Sequence, residues 1–379
     1  MRRAKTVKIQ VKPEVIKWAI STSGWNEKEL VSSLKISQST YNEWLNGNIT
    51  IKQLETLADK LKRPLAVFFL PKAPAVKPKP KDYRMLPGKK DQFNKKTILA
   101  IRKARYLQGV IQELTTNVDN DLKPKITAHK ITDNPQEVAL KYRQILDFTS
   151  EKQTKTLKDA YKVYNYLREA LEDKNIYSFQ ISMPLEDARG FALADKDPKV
   201  IVANSQDEIE ARIFTLIHEF GHVLLGETAI SLSEFDTQEK VEKWCNLFAS
   251  NFLLPKDVAQ PLFTENKALL TETATLNTMK RKYKVSKAML VYNMFILNFI
   301  NQPTYKAVLE RPRPVKPQGK QKMVDPRTQD QKCIAELGHK LPALVADNMN
   351  KGFITYSDAL NYLSIKTKYF EKVIKRTFK

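Results

Sequence analysis

The stretch Ala211-Arg-Ile-Phe-Thr-Leu-Ile-His218-Glu219-Phe220-Gly221-His222-Val-Leu-Leu225 holds two of the chain's four histidines, one helical turn apart. Residues i and i+4 of an α-helix project from one face, so both imidazoles can reach a single metal ion. Glu219, beside the first histidine, then sits where it can take a proton from a water at that metal, which is the zinc-hydrolase reading of H-E-x-x-H. Apolar residues at Ile213, Phe214, Leu216, Ile217, Phe220, Val223 and Leu224 predict a mostly buried helix, the rigid support that such a site needs. Asp207, Glu208 and Glu210 suit its positive end, and Gly226 is its expected stop.

A catalytic zinc needs three protein ligands and an open position, so a third ligand is expected nearby. A second helix is predicted over roughly 237–254, ending at Pro255, with a core-facing stripe of Val241, Cys245, Phe248, Ala249 and Phe252. Glu242 lies beside that stripe, twenty residues after His222, and is the preferred third ligand. Glu239, one turn earlier, is its rival; Glu227 and Glu234 fall in the connecting loop.

Together, His218-Glu-Phe-Gly-His222 and Val241-Glu-Lys-Trp-Cys-Asn-Leu-Phe-Ala-Ser-Asn-Phe-Leu-Leu-Pro255 resemble the ImmA/IrrE family of metallopeptidases. The run Gly190 to Asn204 is similar to that family's strand region, which ends in an asparagine before the zinc helix. The resemblance covers about residues 157–300. It implies a zincin-like fold, a Zn2+ held by His218, His222 and Glu242, and Glu219 as general base. Phe252 stands where the family usually has an aliphatic residue, a conservative packing change. The family's typical substrate is a DNA-binding repressor cut at one site, so the expected partner is a repressor or antitoxin.

The formal net charge of +22 is unevenly placed. Residues 157–260 hold 11 Lys/Arg against 18 Asp/Glu, whereas residues 1–70 hold 12 against 6, residues 71–105 hold 12 against 2 and residues 311–379 hold 15 against 6. An acidic centre flanked by basic ends suits a polyanionic partner at those ends. The N-terminal segment strengthens this reading. Pro13 can open a first helix, Asn26 caps a second over 27–34, Ser37 caps a third, and 51–61 forms a fourth. The runs Ile36-Ser-Gln-Ser-Thr-Tyr-Asn-Glu-Trp-Leu-Asn-Gly47 and Thr50-Ile-Lys-Gln-Leu-Glu-Thr-Leu-Ala58 resemble the XRE-type, lambda-repressor-like helix-turn-helix. That likeness implies that Gln38, Ser39, Thr40 and Asn42 meet double-stranded DNA from the start of a recognition helix.

These readings predict a mainly helical α+β protein: a helix-turn-helix bundle over 1–70, a Pro/Lys-rich linker over 71–96, a metallopeptidase region over 97–310, a second linker over 311–331 and a helical C-terminal module over 332–379. The linker reading includes the segment Asp82-Tyr-Arg84, which fusions of the two families share. Short strands are expected at 176–181, 190–194 and 200–203, and a helical cap at Thr355 or Ser357. Two distant cysteines suggest no disulfide framework and a reducing, cytoplasmic setting. The start Met1-Arg-Arg lacks a signal peptide's apolar stretch, and there is no long apolar run. The expected function is a zinc endopeptidase that cleaves a regulatory protein. The alternative is a DNA-binding regulator or antitoxin whose zinc site is structural or silent.

Overall fold

A computed structural model describes residues 8–75, 80–82, 93–231, 239–311 and 326–378 of the chain. Much of both linkers, Tyr83 and Arg84 of the shared segment, and Glu234 lie outside the described residues. The chain divides into two compact units, one comprising residues 1–79 and 91–101, the other residues 80–90 and 102–379.

The first unit is built from α1 (Pro13–Ser21), α2 (Glu27–Leu34), α3 (Gln38–Leu45) and α4 (Ile51–Leu61). Each start has a local cause. Pro13 sits in the first turn of α1, Asn26 accepts a hydrogen bond from the Glu29 amide, and Ser37 accepts one from Thr40. Thr50 and Gln53 form a capping box at α4. The apolar faces meet in a core of Ile16, Leu30, Tyr41, Trp44, Leu54, Leu57 and Leu61. A pairing without a strand signal in the sequence joins β1 (Lys8–Gln10) antiparallel to β2 (Asn48–Thr50). The first turns of α5 (Lys95–Asn117) also belong here, with Lys95 paired to Glu29 and set over the Trp25 ring.

The second unit carries a five-stranded sheet in the order β3 (Lys81–Asp82), β7 (Ala229–Ser231), β5 (Gly190–Leu193), β6 (Lys199–Asn204) and β4 (Ile176–Ile181). The expected strands at 176–181, 190–194 and 200–203 are β4, β5 and β6. β4 runs parallel to β6, while β5 is antiparallel to both β6 and β7. The strands are buried along nearly their whole length, as their continuous apolar runs require of a covered sheet. α6 (Pro135–Ile145), α7 (Ala160–Asp173), α8 (Ile209–Leu224) and α9 (Lys240–Leu253) pack into one large core with them. Downstream follow α10 (Lys256–Glu265), α11 (Thr273–Tyr283), α12 (Lys287–Ile296) and α13 (Gln302–Glu310).

The C-terminal helices α14 (Gln329–Leu337), α15 (Lys340–Asn350), α16 (Tyr356–Leu363) and α17 (Phe370–Thr377) belong to this same unit. Thr355 caps α16 through a capping box with Asp358. Arg168 of α7 fastens α14: its guanidinium donates to the Ser178 carbonyl of β4 and to the Ala335 and Glu336 carbonyls, at 2.8 and 2.9 Å. A cation at a helix C-terminus satisfies carbonyls that have no partner within the helix. Arg168 itself is buried and ion-paired with Glu172.

Candidate metal centre

Two close approaches position the metal-site elements. Gly190 of β5 lies under α8, where an added Cβ would stand 2.4 Å from Thr215 Cγ2 and 2.8 Å from the Val202 carbonyl oxygen. Gly221, inside the H-E-F-G-H stretch, faces α9, where a Cβ would meet Cys245 Sγ at 3.1 Å. Small residues at both places bring the sheet, α8 and α9 together. Asn204 ends β6 and organises the turn into α8. Its side chain donates to the Met183 and Ala188 carbonyls and accepts from the Met183 and Gln206 amides. Asp207, in that turn, pairs with Arg189 at 2.6 Å.

α8 presents His218 and His222 on one face, with their Nε2 atoms 3.2 Å apart. Glu242 comes from the first turn of α9 and spans both: one carboxylate oxygen is 2.9 Å from His222 Nε2, the other 3.2 Å from His218 Nε2. All three residues are buried, and they form a cluster whose ligand atoms can converge on one ion. Of the rivals, Glu239 is exposed at the start of α9 and Glu227 is paired with Lys81 at 2.5 Å. Glu219 is fully buried beside the cluster, and among the described residues neither of its oxygens is in hydrogen-bond geometry with a protein donor.

The electrostatics fit a cation. Burial pushes the Glu219 carboxyl well above the usual carboxylate range, and the Glu242 charge adds to this, while the Ser231 hydroxyl, as a hydrogen-bond donor, acts against it. Burial also acts to raise Glu242, but the two imidazoles overcome it and hold that carboxyl far below its ordinary value. His222 is lowered by burial, against the pull of Glu242. Two carboxyls and two imidazoles are thus buried together, a donor set suited to zinc.

Sequence reasoning did not single out Ser231 at the end of β7. Its hydroxyl donates to Glu242 Oε1 at 3.1 Å and lies 3.3 Å from His222 Nε2. A lone serine in a loop-like stretch carries no pattern, and only the pairing of β7 with β5 brings it here. His129 and His339, read as ordinary residues, pair with Asp133 at 2.8 Å and with Glu169 at 3.7 Å.

The proposed DNA-contacting residues lie in the first unit, at the start of α3. Gln38, Ser39 and Asn42 are exposed and Thr40 is half-buried. The Gln38 amide donates to Glu27 of α2 at 2.5 Å, and Ser39 and Thr40 share hydrogen bonds with the capping Ser37. Among the described residues, no helix is long and apolar enough to cross a membrane.

Comparison with known proteins bears on the second unit. No curated protein matches the chain. Residues 171–295 match the family model Peptidase_M78, the IrrE N-terminal-like domain, a stretch that runs from the end of α7 into α12 and includes both histidines, Glu219 and Glu242. That match supports the likeness of the metal-site region to the zinc metallopeptidases of the ImmA/IrrE type.

Proposed function

We propose that this chain is a zinc-dependent endopeptidase in which His218, His222 and Glu242 hold the metal and Glu219 is the general base. The observation that carries this reading is the convergence of both Nε2 atoms and the Glu242 carboxylate within about a hydrogen bond's length, beside the buried Glu219 carboxylate. A zinc ion there supplies Lewis acidity towards the scissile carbonyl and lowers the pKa of the attacking water towards about 7. Glu219 takes the proton from that water and passes it to the leaving amine. The apolar packing of α8 and α9 keeps both helices rigid, so the carboxylate is held at a constant distance from the ligands.

The substrate class follows from the family likeness: a DNA-binding repressor or antitoxin, cut in the cytoplasm. The first unit supplies the link to DNA. Its α2, turn and α3 follow the order of a helix-turn-helix, and the basic excess of residues 1–105 suits a phosphate backbone. The test is Glu219→Gln. This variant keeps zinc and loses cleavage of the regulatory protein encoded beside it by about 10²-fold or more. Cleavage at the wild-type rate by that variant would sink the assignment.

A second reading is a DNA-binding regulator or antitoxin whose zinc site does not turn over. The basic ends of the chain and the helix order of the first unit favour it. A gel shift on the gene's own promoter at stated salt, combined with the cleavage assay, separates the two.

A further inference from the structure

Where the C-terminal helices meet α7, β4 and the first turn of α8, the second unit holds a cavity of about 370 Å³ that shares no residue with the metal cluster. That volume falls in the range of small-molecule sites, about 300–1,000 Å³. Its lining is rich in arginine: Arg168 from α7, Arg212 from α8, Arg327 ahead of α14 and Arg376 from α17, with His339 beside them. Glu169 is the carboxylate in the lining, 3.7 Å from His339 Nε2. Tyr161 adds an exposed aromatic ring, whose centroid lies 5.9 Å from the Arg212 guanidinium.

These arginines are not used alike. Arg168 gives its guanidinium to the Ser178, Ala335 and Glu336 carbonyls and to Glu172, which is what a structural arginine does. Arg376 holds the buried Asp330 at 2.6 Å. Arg212 donates through Nη1 to Gln180 Oε1, and the Gln180 amide is anchored on the Ala335 carbonyl at 2.7 Å. Its Nε is buried and, among the described residues, has no hydrogen-bond partner. A cationic donor shut away from water is costly to leave without an acceptor. In the lining and its direct ion pairs, the carboxylates of Glu169, Glu172 and Asp330 stand against four guanidiniums and His339, so the wall carries surplus positive charge.

We infer that this cavity binds a small phosphate-bearing ligand, with Arg212 as its principal donor. Planar guanidinium forks match phosphate oxygens, and a phosphate monoester brings a charge of about −1.5 to −2 at pH 7, where a carboxylate brings one. The Tyr161 ring offers a face to an organic group carried by the phosphate. The inference does not rest on the zinc reading, because none of these residues belongs to the metal cluster. The position of the cavity gives binding a structural consequence. α7 and α8 supply Arg168 and Arg212, and α17 supplies Arg376, so a phosphate held among them ties the C-terminal helices to the helix that carries His218 and His222.

The test is titration calorimetry on the full chain at about 0.15 M salt, with adenosine 5′-monophosphate, inorganic phosphate and adenosine as probes. The wild type should bind the phosphate probes and not adenosine. Tighter binding of the monophosphate than of inorganic phosphate identifies an organic phosphate as the ligand class, and equal binding identifies free phosphate. Arg212→Gln should weaken binding about tenfold or more, and so should Arg212→Lys, which keeps the charge but loses the planar fork. Lys28→Gln, which removes an exposed charge from the first unit, should leave binding unchanged. Should Arg212→Gln fail to fold, Arg327→Gln at an exposed position gives the same reading. The inference is overturned if neither phosphate probe binds in the millimolar range, if adenosine binds as tightly as its monophosphate, or if the Arg212 variants bind like the wild type. A loss in Lys28→Gln as large as in Arg212→Gln also overturns it, since the phosphate is then held by diffuse charge and not by this cavity.

Discussion

Gly190 and Thr215 are in contact so close that only a glycine fits: a Cβ on residue 190 would lie 2.4 Å from Thr215 Cγ2. The contact sets how near the metal-bearing helix α8 comes to strand β5. The same Cβ would stand 2.8 Å from the Val202 carbonyl oxygen, part of the backbone of β6, which cannot swing away as a side chain can. Gly190→Ala is therefore an overpacking change, expected to cost about 1–3 kcal/mol. Urea unfolding of the metal-free protein checks it, and an unchanged midpoint would contradict the packing.

Phe252 is fully buried. It stacks on Phe148 with ring centroids 5.6 Å apart and planes at 6°, and it leans on Phe248 at 6.1 Å. Phe252→Ala should lose about 3–5 kcal/mol, while Phe252→Leu should lose markedly less, because it keeps most of the buried volume. Thermal or urea unfolding of the two variants separates a specific aromatic stack from simple filling of space.

Glu242 and Glu239 stand one turn apart on the sequence but differ in burial and reach. Glu242 spans both imidazoles, whereas Glu239 is exposed. Glu242→Gln should weaken zinc binding by about 10–100-fold or more, and Glu239→Gln should leave it within experimental error of the wild type. Competition with a chromophoric chelator reads both, and the reverse order would transfer the ligand role.

Asp195 accepts from Arg105 at 2.6 Å and from the Thr228 hydroxyl at 2.9 Å. Burial opposes its ionisation, yet Arg105 and Thr228 prevail and hold the carboxyl below its ordinary 3.8. A carboxyl depressed in the folded state contributes stability that is complete above about pH 4 and is lost as the pH falls through the folded value. Acidification from about pH 6 to about pH 3 should therefore destabilise the wild type more steeply than Asp195→Asn. Parallel slopes in urea unfolding at the two pH values would remove this pair from the acid response.

Much of the site was legible from residue spacing, because helical geometry is local. His218 and His222 share a face by the four-residue step alone, and Glu242 follows from the stripe Val241, Cys245, Phe248 and Phe252 that orients its helix. The caps at Asn26 and Ser37 were legible for the same reason, and the third was narrowed to Thr355 or Ser357, since each capping side chain answers an amide three residues away. The strand at 229–231 was not legible: three residues carry no periodicity, and their pairing partners lie about forty residues back in the chain.

By itself, then, the sequence determined what local geometry controls: which segments coil, where they start and stop, and which side of each helix carries its candidate ligands. Only the tertiary structure decided what non-local pairing controls. It set Ser231 against His222 and Glu242 through the register with Gly190, and it fastened α14 to strand β4 through Arg168. The physical reason is the same in both cases. A backbone hydrogen bond between distant segments is selected by the packing of the whole sheet and its covering helices, not by the few residues that make it.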